Sequence, residues 1–96
     1  MVDNVDDKFY ERADAHIHLA NDQLEDLGRG KVSASMMYGI ARFNAWICAC
    51  DAATAEEMLA GRQEAVEYFV NQYKKMFEEN FDDYIENFEK YMKPMK

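Results

Sequence analysis

Apolar residues recur every three or four positions in three segments of this chain, which is the spacing of one face of an α-helix. The series in the first segment is Phe9, Ala13, Ile17, Ala20, Leu24 and Leu27. Asp6 can accept hydrogen bonds from the free backbone amides of a first turn, and Gly28 can end a last turn. The pattern therefore predicts a first helix that is capped by Asp6, ends at Gly28 and buries one apolar face.

The second segment contains the most apolar stretch of the chain, residues 40–51. Its helical series is Met36, Ile40, Phe43, Ile47 and Cys50. We expect this face to be buried, and we expect Ser33 to cap the helix. Arg42 and Asn44 lie off this face, and we interpret them as buried polar candidates, either structural contacts at a helix seam or part of a ligand site.

The third segment begins at Thr54, because Thr54 and Glu57 have the spacing of a capping box. Its apolar series has a mean spacing of about 3.6 residues, close to an undistorted helix. The series is Val66, Val70, Tyr73, Phe77, Phe81, Tyr84, Phe88, Tyr91 and Met95. Since the phase is kept across Asn80, the pattern predicts one helix from about Thr54 to Met92, or two collinear helices with a kink near Asn80.

Together these segments predict an all-α fold, a three-helix bundle whose long carboxy-terminal helix is continuous, kinked or broken near Asn80, with four helices if it is broken. We expect residues 1–96 to form a single helical domain that ends near Pro94, with residues 1–5 and 93–96 disordered. The third helix would be about 57 Å long, whereas the first two would be roughly 32 and 27 Å. Its aromatic face would therefore extend beyond them and become a candidate interface. The candidate interface residues are Phe77, Phe81, Tyr84, Phe88 and Tyr91.

The charge balance excludes several classes of partner. Nineteen acidic residues against eleven basic ones give a net charge of -8. Such a surface repels phosphate backbones and anionic membranes, so we expect neither nucleic acid nor a membrane as partner. The sequence shows no basic leader followed by an apolar segment and no apolar run of about 20 residues, and we expect a cytoplasmic protein. Cys48 and Cys50 are then expected to be reduced thiols.

Residues 28–35 form a candidate anion site. They combine cations and hydroxyl groups near a predicted helix start, where free backbone amides attract anions. The candidate residues are Arg29, Lys31, Ser33 and Ser35. The preferred interpretation is a helix end and a turn, because no strand precedes the segment and Lys31 is followed by valine, unlike the lysine of a phosphate-binding loop.

Metal and catalytic chemistry are weakly indicated. His16 and His18 are two residues apart and point about 200° from each other on a helix, and the same spacing separates the two cysteines. Asp14, His18 and Asp22 can share a face and could hold a divalent metal weakly, but a solvated charged face is the preferred interpretation. No nucleophile is paired with a base by its spacing. We therefore expect no metal, no cofactor, no catalytic residues and no enzyme activity.

Three stretches of the chain resemble a family of small bacterial proteins, chiefly from proteobacteria, that is catalogued as a domain of unknown function. The stretches are FYERADAHIHLAND, GRGKVSASMMYGIARFNAW and EAVEYFVNQYKKMFEENFDDYIENF. The resemblance covers about residues 7–92, and RGKVSAS and ARFNAW are its most specific parts. It implies a helical cytosolic domain, and because the family has no assigned activity, it provides no catalytic or binding residues to carry over.

Two functions of different classes follow from these patterns. The favoured hypothesis is a helical interaction module that covers its carboxy-terminal aromatic face, by self-association or by docking on another protein. The alternative is a small-ligand or anion-binding domain at residues 28–35, with Arg42 and Asn44 as further contacts.

Overall fold

The computed structural model describes residues 5–93, and every regular element in that range is an α-helix. The helices are α1 (Phe9–Gln23), α2 (Arg29–Asp51), α3 (Ala55–Ala60), α4 (Arg62–Glu86) and α5 (Phe88–Met92). The predicted all-α class is therefore confirmed. Most of the predicted disordered termini, including Pro94 and Met95, lie outside the described residues.

The chain divides into two compact units, Val5–Ala60 and the segment from Gly61 onward. The first unit contains α1, α2 and α3, and α1 contacts α2. The second unit contains α4 and α5, which also contact each other. A single domain over residues 1–96 stays a prediction.

Asp6 organises the start of α1, although the helix begins three residues later. Its carboxylate accepts a hydrogen bond from the Lys8 backbone N–H at 3.0 Å and is held by the Arg12 guanidinium at 2.8 and 3.1 Å. The Arg12 hydrogen bond, followed by the Lys8 amide, lowers the pKa of Asp6 to about 2. The last turn differs from the prediction, because α1 ends at Gln23 and not at Gly28. Asn21 and Asp22 are weak helix formers, which accounts for this earlier end.

The start of α2 corrects the predicted cap. The helix begins at Arg29, and Gly28 precedes it in an extended conformation with φ -74° and ψ 159°. Ser33 therefore lies inside the helix and not at its cap. The reason is that arginine and lysine are good helix formers, so the basic segment predicted as a turn forms the first turn of the helix.

The capping box predicted at α3 is present with one variation. The Thr54 hydroxyl oxygen accepts the Glu57 backbone N–H at 3.1 Å, as expected. The Glu57 carboxylate in return accepts the backbone N–H of Ala53, at 2.8 Å, one residue before the predicted partner. Two backbone amides near the helix start are thereby satisfied.

The helical segment after Thr54 is interrupted at Gly61 and Asn87, and it runs through Asn80 without a break. The predicted uninterrupted helix from Thr54 to Met92 was therefore wrong, and so was the predicted break at Asn80. The side-chain amides of Asn80 and Asn87 each donate to the carbonyl four residues earlier, at 2.8 and 3.1 Å. Since both asparagines make this bond, it does not by itself end a helix. Gly61 is a position of low helix propensity, which favours the first interruption.

Few of the described residues are buried, and the exposure of α2 contradicts the prediction that one of its faces is buried. Among residues 5–93 only Val32 is buried, at 4% exposure. Met36 is half-buried, but the rest of the face predicted to be buried is exposed. The exposed members of that face are Ile40, Phe43, Ile47 and Cys50. A reason lies in the helix lengths, because α1, at about 22 Å, is too short to cover α2, at about 35 Å.

Candidate functional site

The aromatic stripe is one face of α4 and α5 on which ring side chains follow one another at helical spacing. It consists of Tyr73, Phe77, Phe81, Tyr84, Phe88 and Tyr91, and so contains all five predicted interface residues. The exposed fraction of these side chains runs from 40% at Tyr91 to 55% at Phe81. Complete burial of one ring removes about 150–250 Å² of surface from water, so the half-exposed rings of the stripe keep a large hydrophobic area in contact with water.

The rings of the stripe contact one another along the helix. Tyr73 and Phe77 stack with their centroids 5.8 Å apart and their planes 9° from parallel. Phe77 and Phe81 meet edge to face at 5.6 Å. Rings in contact with one another have fewer accessible rotamers than isolated rings, so less conformational entropy would be lost if the stripe were covered.

A polar network holds α5 in place beside α4 across the interruption at Asn87. The Asn87 side-chain amide donates to the Asp83 carboxylate at 2.9 Å, and the Tyr91 hydroxyl donates to the same carboxylate at 3.2 Å. The Tyr84 and Tyr91 rings lie 5.1 Å apart. The hydrogen bond to Asp83 raises the pKa of Tyr91, with desolvation as a smaller cause. The network therefore keeps the stripe continuous from α4 to α5.

The remaining surface of α4 is strongly acidic. The helix carries seven carboxylates and three basic side chains, a net charge of -4. Lys74 and Glu78, beside the stripe, form an ion pair at 2.7 Å, but both side chains are exposed and the pair adds little stability. Tyr68 is 58% exposed and lies on the face opposite Phe77, which makes it a natural control for experiments on the stripe.

A second exposed apolar surface lies on α2, and sequence reasoning assigned most of it to the core. This α2 apolar face consists of Ile40, Phe43, Trp46 and Ile47. Phe43 is 58% exposed and Trp46 59%, and their ring centroids are 5.6 Å apart. A signal for this face was present in the sequence, because Met37 and Tyr38 make the helix apolar on further sides as well. Such a helix needs cover on more than one face.

The predicted anion site is distributed over two faces of the first turns of α2. Side chains four residues apart share a face, so Arg29 and Ser33 lie on one face of α2 and Lys31 and Ser35 lie on another. The Ser35 hydroxyl donates to the Val32 carbonyl at 3.2 Å. The four predicted residues therefore do not converge on one point, and anion binding here stays a prediction.

The two buried polar candidates have different environments. Arg42 is exposed, so its interpretation as a buried residue was wrong, whereas Asn44 is half-buried. Arg42 lies on the side of α2 that carries Tyr38 and Ala45, and this side is exposed to water.

The cysteines are free thiols, with Cys48 half-buried and Cys50 exposed. Within residues 5–93, no group of three or more histidine, cysteine, aspartate or glutamate side chains is placed to hold a metal ion. In the same range, no helix combines the length and apolar character needed to span a bilayer.

Comparison with known proteins shows the family of the chain. The family model described as "Protein of unknown function (DUF3144)" matches residues 9–85. The NMR structure of the protein NB7890A from Shewanella sp is 42% identical, covers 97% of this chain and 99% of its own, and superposes with a TM-score of 0.77. The comparison with curated proteins gives no match. The resemblance stated for the three sequence stretches is confirmed, and the chain belongs to the DUF3144 family of proteins of unknown function.

Proposed function

We propose that this chain is a non-enzymatic, cytosolic interaction module that associates through the aromatic stripe of α4 and α5, with another copy of itself in the first place. The observation that carries the proposal is the half-exposure of all six ring side chains in a continuous row. Contiguous apolar surface of this kind is rare on monomeric proteins and marks interaction sites.

The composition of the stripe supports a protein partner. Aromatic residues are enriched at the energetic centres of protein interfaces, because a rigid ring gains much contact area for little lost entropy. Charged residues such as Lys74 and Glu78 flank the rings, which matches the apolar centre and polar rim of an interface.

The proposal is tested by removing two rings from the centre of the stripe. Light scattering across a dilution series measures the particle mass of the chain and of the double variant Phe77→Ser/Phe81→Ser. We expect the unchanged chain to exceed 11.2 kDa at high concentration and the double variant to remain at the monomer mass. Each lost ring should weaken association by about 2 kcal/mol, or roughly thirtyfold.

The matched control is Tyr68→Ser, which removes an equally exposed ring from the opposite face of α4. It should leave the association unchanged. Circular dichroism of both variants checks that the helices still form. An unchanged chain that stays monomeric at every concentration would exclude self-association, and equal effects of the two variants would exclude the stripe as its site.

A further inference from the structure

We draw no further inference here: the strongest candidate, the exposed apolar face of α2 around Phe43 and Trp46, carries none because nothing in the structure shows what covers it.

Discussion

The helices α2 and α4 are similar in length, at 23 and 25 residues, but they distribute polar groups differently. α2 carries four charged side chains and has apolar residues on several faces, including Met37 and Tyr38 as well as Phe43. α4 carries ten charged side chains and concentrates its rings on one face. A helix such as α4 tolerates water on most of its surface. A helix such as α2 needs contact with other apolar groups on several sides. The comparison indicates that α2 leaves apolar side chains in water on more of its faces than α4 does.

The polar contacts at the helix starts and on the surface of α4 are mostly local. Arg12 pairs with Asp6, Thr54 with Glu57, and Lys74 with Glu78, all within six residues. Such bonds decide where a helix begins and how its exposed side chains pair. They give no preference for one tertiary or quaternary arrangement, which is left to the hydrophobic surfaces.

A charge on the α2 apolar face is expected to have the largest effect on association, and it tests whether α2 and α4 differ as described. Phe43→Asp places a carboxylate in the middle of this exposed apolar surface and also removes a ring. We expect a loss of about 3 kcal/mol or more, which weakens association at least a hundredfold in Kd. Light scattering or sedimentation over a dilution series measures this change.

The matched control for this variant is Ala45→Asp, which adds the same charge on the opposite side of α2. It should change Kd by less than a factor of about five. If both substitutions weaken association equally, the α2 apolar face has no special role and the difference between α2 and α4 loses its functional meaning.

An intermediate effect on stability is expected from the capping box of α3. It tests whether the two units unfold separately. Thr54→Ala removes the hydroxyl that accepts the Glu57 amide, and it should cost about 1 kcal/mol. Hydrogen exchange should become faster for the amides of α3 and remain unchanged in the middle of α4. Thr54→Ser keeps the hydroxyl and should restore the protection. Faster exchange throughout α4 would show that the two units unfold together.

The smallest effect concerns the start of α1. The Arg12 guanidinium holds the pKa of Asp6 at about 2, below its ordinary value of 3.8. Arg12→Gln should raise this pKa toward 3.8, as measured by the titration of the Asp6 carboxyl carbon in NMR spectra. Because the pKa is lowered in the folded chain, the stabilising contribution is present above pH 3.8 and is lost as the pH falls toward 2. An unchanged pKa in the variant would assign the shift to the Lys8 amide instead.

Much of the local structure could be predicted from the sequence, because it depends on neighbouring residues. The capping role of Thr54 and the position of Asp6 near a helix start follow from side chains that reach amides two or three residues away. The phase of the aromatic stripe follows from helical geometry alone. The interruption at Gly61 was missed because the apolar series keeps its phase across it, and Asn80 was considered as a break although an asparagine can bond to the preceding turn inside a continuous helix.

The candidate site could be predicted only in part. Phe77, Phe81 and Tyr84 were identified because a long helix has more apolar face than two shorter helices can cover. The α2 apolar face was assigned to the core, because an apolar stripe on a helix in a small domain is normally buried within the same chain. The exposure of Phe43 and Ile47 is a tertiary property that no residue spacing reveals.

The sequence by itself determined that this protein is helical, that helices start near Asp6 and Thr54, and which side of α4 carries the rings, since each of these depends on contacts within a few residues. The tertiary structure decided which apolar faces are covered, because burial requires distant segments to meet. In this chain α1 contacts α2 and Val32 of α2 is buried, while the rings of α4 and the α2 apolar face are exposed to water. That exposure is the observation that supports the proposed association between copies.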